Sequence, residues 1–167
     1  MTHFYWCGYE SGVRANKNGG TRGAAETSAL PEYRISVEHT ELVQRSYRLV
    51  EPASDLVATL FFHRLMDMSP ELRPLLEGDE AEQRRQLLIS FGLAVASLER
   101  FDDIVPALKL MGVKYRARGV TEFHYGAVGE ALLWTLHQSL GSHWSSDVED
   151  AWTAMCTLIA EIMTDSE

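Results

Sequence analysis

The sequence predicts a single all-α domain. Beyond about residue 35, apolar residues recur at steps of three and four, which is the spacing of one face of an α-helix. No segment shows the alternation of apolar and polar residues that is typical of a strand. The chain has 167 residues, of which 46% are hydrophobic, and this is enough to bury one core.

Composition and charge limit the classes of partner. The formal net charge is -9, which disfavours nucleic acid, because binding to phosphates needs a basic surface. The N-terminus lacks the basic start and apolar run of an export signal, and no apolar stretch approaches the roughly 18 residues of a membrane span. Cys7 and Cys156 lie at opposite ends of the chain without the spacing of a zinc site. We therefore expect a cytoplasmic monomer or dimer that binds neither nucleic acid nor membrane.

Residues 1–35 form a predicted flexible tail, and residues 36–167 form the predicted folded domain. The tail is rich in glycine and polar residues and shows no apolar periodicity. It contains one aromatic stretch, Phe4–Cys7. This stretch either docks in a groove or on a partner, or is an apolar stretch of a disordered end.

The first two helices have clear boundaries in the sequence. Ser36 is the predicted N-cap of the first helix, and Pro52 ends that helix. A second apolar repeat runs from Val57 to Met68. Pro70 then opens a short helical turn that extends through Leu76.

The next two helices follow a predicted interruption of the helical pattern at Gly78-Asp79. A long helix is predicted from Glu80 to Arg100, and its acidic first turn suits the helix dipole. Another helix is predicted behind Asp102 or Asp103 as its cap, ending at Gly119. Its apolar face carries, at spacings of four, three and four, Ile104, Leu108, Met111 and Tyr115. Tyr115 is therefore expected to face the core.

Two further helices complete the predicted domain. Thr121 is the expected cap of a helix that extends to Leu140. The segment Ser146–Glu149 has the form of a capping box for the last helix. The apolar stripe of that last helix consists of Val148, Trp152, Met155, Ile159 and Ile162. Such a stripe needs a large apolar surface on neighbouring helices.

An ordered series of motifs resembles the globins, especially neuroglobin and the single-domain bacterial and flavohaemoglobin branch. These motifs are Leu42–Tyr47 (LVQRSY), Ser69–Leu75 (SPELRPL), Lys114–Val120 (KYRARGV) and Phe123–Leu133 (FHYGAVGEALL). The resemblance extends from about Glu41 to the C-terminus. It implies a globin fold, a helical sandwich of six to eight helices, with haem b as the cofactor.

The resemblance implies a distal wall for the haem. It puts Gln83 at the distal position that faces a bound ligand, and Leu87 follows one turn later on the same face. Phe62 lines the far side of the pocket, where bacterial relatives often have a tyrosine whose hydroxyl bonds the bound gas. Leu76 takes the place of the phenylalanine that stacks on haem in the family. Val128 completes this side of the predicted pocket.

On the proximal side, the resemblance puts Tyr115 where a globin has the histidine that holds the iron. Tyr115 lies 32 residues after Gln83, which is the separation expected in this branch. Tyr125 matches the proximal tyrosine of the branch, and Glu167 falls where its carboxylate partner would be. Met111, one turn before Tyr115, is the remaining predicted contact of the haem.

A tyrosine ligand points to a different chemistry from oxygen storage. A phenolate is a hard anionic ligand that stabilises ferric iron, as in catalase, whereas reversible oxygen binding needs ferrous iron. We therefore expect redox, peroxide or nitrogen-oxide chemistry, or sensing. The small ligand would be oxygen, nitric oxide, peroxide or nitrite. No reductase follows the globin-like region, so a peroxidase-like or nitrogen-oxide-converting activity would need an external electron donor.

Two alternatives remain open at this stage. Tyr115 could be a buried aromatic residue of a haem-free globin that acts as a sensor or interaction domain. Another residue, His124 or His63, could hold the iron instead. His63 is rotated about 100° from Phe62 around its helix, and His124 opens a helix, where it would cap the helix or face solvent. The sequence contains no glycine-rich phosphate loop, nucleophile elbow, zinc helix or di-iron pair that would suggest other chemistry.

Overall fold

The computed structural model describes residues 33–76 and 78–165, and these residues contain helices but no strand. The predicted all-α class is confirmed. Six α-helices are joined by short 3₁₀ turns at Glu51–Ala53, Pro70–Leu75, Leu98–Asp103 and Gly141–His143. The helices are α1 (Val37–Val50), α2 (Ser54–Met68), α3 (Glu80–Ala96), α4 (Val105–Ala117), α5 (Glu122–Leu140) and α6 (Ser146–Thr164). The proposed tail, its aromatic stretch Phe4–Cys7 and Glu167 lie outside the described residues, except for the last three tail positions.

Several predicted boundaries are confirmed by the hydrogen bonds at the helix ends. The Ser36 hydroxyl accepts a hydrogen bond from the backbone N–H of His39 at 3.1 Å and caps α1. Thr121 caps α5 in a reciprocal arrangement with His124. Gly78 and Gly119 adopt φ values of 83° and 97°, a conformation that glycine reaches without the steric cost of a side chain.

The long helix predicted over 80–100 is shorter in the structure. Helix α3 ends at Ala96, and a 3₁₀ turn follows in which Arg100 has non-helical backbone angles. Leu98 and Phe101, which are both buried, attach this turn to the core. Burial of these two side chains is a tertiary effect that outweighs the continuing helical pattern of the sequence.

Two predicted caps are wrong. Helix α4 begins after Ile104 without a side-chain cap, so neither Asp102 nor Asp103 has the expected role. Pro106 lies in its first turn, where a missing N–H costs nothing and the fixed φ favours a helix. The cap of α6 is Ser145, one residue before the predicted Ser146, and its hydroxyl accepts from the N–H of Val148 at 3.3 Å.

Helix α6 packs against α1, α4 and α5, while α2 packs against α5 and α3. Trp152 of α6 is completely buried. Its ring stacks on Phe91 of α3 with 5.4 Å between the ring centroids, and its Nε1 donates to the hydroxyl of Ser46 on α1 at 3.0 Å. One side chain therefore joins three helices.

Helices α4 and α6 approach each other closely at Gly112. A Cβ atom at this position would lie 2.8 Å from Cα of Met163. Because this obstacle is backbone, it cannot move aside as a flexible side chain could. The absence of a side chain at residue 112 therefore sets the spacing between α4 and α6.

We expect Gly112→Ala to destabilise the domain by about 1–3 kcal/mol, because overpacking forces the two helices apart. Gly126→Ala is the matched control, since a Cβ at Gly126 of α5 meets no atom within 4 Å. That control should raise stability by up to about 1 kcal/mol through helix propensity. The measurement is urea unfolding followed by circular dichroism, and equal effects of the two substitutions would contradict the close approach.

Candidate functional site

The predicted site residues fall into two apolar groups. The α2–α5 cluster contains Phe61, Phe62, Leu65, Met66, Leu72, Ala127 and Ala131. Phe62 belongs to this cluster, and Leu76, Leu87 and Val128 pack against it. The structure thus brings together four of the eight residues predicted to contact haem. These four were assigned to the distal side or to haem packing.

The other group surrounds Trp152 and forms the central cluster. Its buried members are Val43, Val50, Ala94, Val95, Leu98, Phe101, Leu108, Leu136, Leu140, Val148, Ala151, Trp152, Met155, Ile162 and Met163. Met111, Tyr115 and Tyr125 pack against it. The three residues predicted on the proximal side therefore pack against the same buried cluster.

Helices α3 and α4, which carry residues of the two groups, are called the two walls of the candidate site. Helix α3 carries Leu87 and packs on α2 and α1, whereas α4 carries Tyr115 and packs on α6. Within 33–76 and 78–165, α3 and α4 share no extensive interface. Each wall is therefore supported from behind by a different part of the core.

Tyr115 lies in the last turn of α4, and its side chain is half-buried. Its backbone carbonyl accepts hydrogen bonds from the N–H groups of Arg118 and Val120, each at 3.0 Å. These bonds and the positive φ of Gly119 close the helix directly after Tyr115. The backbone that carries the phenol is therefore well held.

Tyr125, in the first turn of α5, has a buried hydroxyl that lacks a hydrogen-bond partner among the described residues. Burial raises the pKa of Tyr125, an ionised Tyr115 would raise it further, and Arg116 opposes the shift. At neutral pH Tyr125 keeps its proton and is a potential hydrogen-bond donor, and an unmatched buried donor is costly.

Gln83 belongs to neither apolar cluster. Its side-chain Nε2 donates to the carbonyl of Gly78 at 3.0 Å, so it bonds the turn that precedes its own helix. The Asp79 carboxylate caps the same helix by accepting from the N–H of Glu82 at 2.9 Å. This bond uses one of the two N–H donors of the amide, and the distal role of Gln83 remains a prediction.

The two histidines considered as alternative ligands have other surroundings. His63 is exposed, and its Nε2 lies 3.7 Å from the Glu80 carboxylate. His124 is buried instead of facing solvent: its Nδ1 accepts from the N–H of Thr121 at 2.9 Å, and its Nε2 lies 3.8 Å from Glu71. Both ring nitrogens of His124 are therefore directed at protein groups, which favours its role as a cap.

An apolar cavity of about 80 Å³ lies among α1, α2, α3 and α5. Leu87 and Val128 are the predicted site residues that line it. The other lining residues, which sequence reasoning did not assign to a site, are Tyr47, Val50, Glu51, Ser54, Val57, Ala58, Phe61, Leu88, Phe91, Leu132 and Leu136. Periodicity identifies most of them as core residues, but it cannot show where packing leaves a space.

The globin family model matches residues 61–163. The chain belongs to the globin family. It is 25% identical over 136 residues to a flavohemoprotein of Vibrio cholerae, a match that covers 80% of this chain and 34% of that protein. The chain thus spans about a third of the length of the curated relatives it matches.

Solved structures share the fold of this globin. A bacterial globin from Campylobacter jejuni aligns with a TM-score of 0.67 and 18% identity, covering 79% of this chain and 96% of that one. A neuroglobin from the marine acoel Symsagittifera roscoffensis aligns with a TM-score of 0.65 and 18% identity, covering 80% and 99%. The predicted globin fold is confirmed.

Membership of this family implies haem as the cofactor and a small gaseous ligand. The described residues fit that group: α2 and α5 form an apolar cluster against which Leu87 of α3 packs, and α4 and α5 carry the half-buried Tyr115 and the unpartnered hydroxyl of Tyr125. Among these residues, no group of three His, Cys, Asp or Glu side chains could hold a bare metal ion. No helix in the same ranges is long and apolar enough to cross a membrane.

Cys156 of α6 does not contribute a thiolate to the site at neutral pH, because burial raises the pKa of its thiol to about 12. In a Cys7→Ser variant, which leaves Cys156 as the one thiol, we expect iodoacetamide to react at pH 8 roughly 1000-fold more slowly in the native than in the denatured protein. Native Cys156→Ser protein, labelled at Cys7, provides the control. Native and denatured rates within tenfold of each other would show an accessible thiol.

Proposed function

We propose that this globin holds ferric haem through the phenolate of Tyr115 and acts in redox, peroxide or nitrogen-oxide chemistry, or in sensing, instead of oxygen storage. The observation that carries the proposal is the pair of phenols at the α4–α5 end of the central cluster. Tyr115 occupies the last turn of α4, and the buried Tyr125 hydroxyl has no partner within the described part of the chain.

A tyrosine must lose its proton to bind iron. Its ordinary pKa is near 10, so the ligand state has to be favoured by positive charge. Ferric haem, when bound, supplies that charge and a redox-active iron. Lys114 and Arg116 flank Tyr115 in the chain and add cations to the same turn of α4. The resulting anionic ligand stabilises the ferric over the ferrous state, which opposes reversible oxygen binding.

The distal side of the proposed pocket offers few hydrogen bonds to a small ligand. Phe62 is buried and carries no polar atom, and Leu87 is equally unable to donate a hydrogen bond. Gln83 is the polar side chain assigned to this side, and its amide is engaged with Gly78. A bound ligand could therefore gain polar stabilisation from Gln83 only through the second N–H of this amide.

The proposal includes an external electron donor for any catalytic turnover. The match to the flavohemoproteins covers about a third of their length. In this proposal a reducing partner delivers electrons to the globin, with oxygen, nitric oxide, peroxide or nitrite as the small ligand.

The test is the absorption spectrum of the full chain with one equivalent of ferric haem, in the wild type, Tyr115→Phe and Tyr115→His. We expect the wild type to show a Soret band with a charge-transfer feature of phenolate-bound ferric haem. Removing the hydroxyl should abolish that feature, and histidine should convert the spectrum to that of an ordinary globin.

Tyr47→Phe is the matched control, because it removes a partly buried phenol hydroxyl from α1 and leaves the proposed ligand intact. Its spectrum should equal that of the wild type. If Tyr115→Phe retained the charge-transfer feature, another residue would hold the iron. If the folded wild type bound no haem stoichiometrically, the chain would be a haem-free sensor or interaction domain, and the proposal would be wrong.

A further inference from the structure

The apolar cavity among α1, α2, α3 and α5 has the properties of a binding site for part of a small molecule. Its volume is about 80 Å³, and no polar atom contributes to its surface. An apolar cavity of this kind stays dry and takes apolar groups, because water inside it would lack hydrogen-bond partners. Since one liquid water occupies about 30 Å³, the cavity has room for roughly three or four carbon atoms.

Glu51 lines one side of this cavity through its apolar atoms. Glu51, directly after α1, is exposed, whereas the neighbouring lining residue Val50 is buried. Burial raises the pKa of Tyr47, and the negative charge of Glu51 raises it further, so the field of this carboxylate reaches a phenol in the cavity wall. Arg48, three residues before Glu51, donates instead to the carbonyl of Gln44 at 3.2 Å.

We infer that this cavity binds a small amphiphilic cation, with a short alkyl chain between α1, α2, α3 and α5 and an ammonium group at the mouth beside Glu51. The apolar walls exclude a charged group from the interior, so the head must stay at the exposed end. The net charge of -9 favours cations over anions around the whole protein. At the mouth of the cavity, the negative charge of Glu51 favours a cationic head group.

The occupant would contact the back of the predicted haem-ligand pocket. Leu87 of α3 and Val128 of α5 line the cavity, and both also pack against the α2–α5 cluster that contains Phe62. Neither the cavity nor its rim includes Tyr115, so the inference does not depend on how iron is held.

The test is calorimetric titration of the full chain, as purified, at low salt with n-butylammonium, 1-butanol and butanoate. These three molecules have the same alkyl chain and differ in the charge of the head. We expect butylammonium to bind two- to fivefold more tightly than butanol, as for an exposed charge pair, and butanoate to bind most weakly. Ethylammonium should bind roughly 15-fold more weakly than butylammonium, because each buried methylene is worth about fourfold in affinity.

Two substitutions locate the binding. Glu51→Gln should reduce the ratio of butylammonium to butanol affinity to about one, whereas Glu41→Gln, an equal loss of charge about 15 Å earlier along α1, should leave it unchanged. Ala58→Leu should fill the cavity and abolish binding of butylammonium and butanol, with circular dichroism as the check on folding. If that variant does not fold, the charge and chain-length series still decide the matter.

Equal affinities for the three butyl compounds would overturn the role of Glu51. Equal affinities for ethylammonium and butylammonium, or no saturable binding of any compound, would overturn the cavity as the site. Binding of butylammonium that survives in a folded Ala58→Leu protein would do the same.

Discussion

The burial of Trp152 is the interaction on which the rest of this globin depends. Its indole is fully excluded from solvent, stacks on Phe91 of α3 and donates to Ser46 of α1. Ser46 in turn donates to the carbonyl of Leu42 at 2.7 Å, so the polar edge of the indole is satisfied inside the core. Because the indole combines a large apolar area with one directional bond, it sets both the spacing and the rotation of α1 and α3 against α6.

That anchor positions the two walls of the candidate site by separate routes. Helix α3 is held through Phe91 on the ring of Trp152, while α4 is held through Gly112 against the backbone of Met163 at the other end of α6. Since each wall is attached to α6, the walls need no extensive contact with each other.

The proposed proximal chemistry depends on two phenols, Tyr115 and Tyr125, in place of an imidazole and its partner. Burial disfavours the ionisation of Tyr125, so this phenol keeps its proton at neutral pH. The pair thus contains one hydroxyl suited to donate and one oxygen available to accept, although the described residues give Tyr125 no partner. A buried donor without a partner is expected at a functional site, where a bound group can accept its hydrogen bond. The Gln83 amide, which was predicted to face a bound ligand, donates to the carbonyl of Gly78. A local backbone acceptor therefore competes with a bound ligand for this amide.

Local pattern in the sequence determined the helical class, the caps at Ser36 and Thr121, the glycine break at Gly78 and the inward face of α4, because each depends on residues within one or two turns. The family motifs also determined the globin fold. The end of α3 at Ala96, the start of α4 at Val105 and the burial of His124 were decided by tertiary structure, since they follow from contacts between distant segments. The same holds for the cavity beside Glu51 and for the burial of the Tyr125 hydroxyl. Periodicity identifies which side chains turn inward, but only the packed helices determine which of them meet and where space remains.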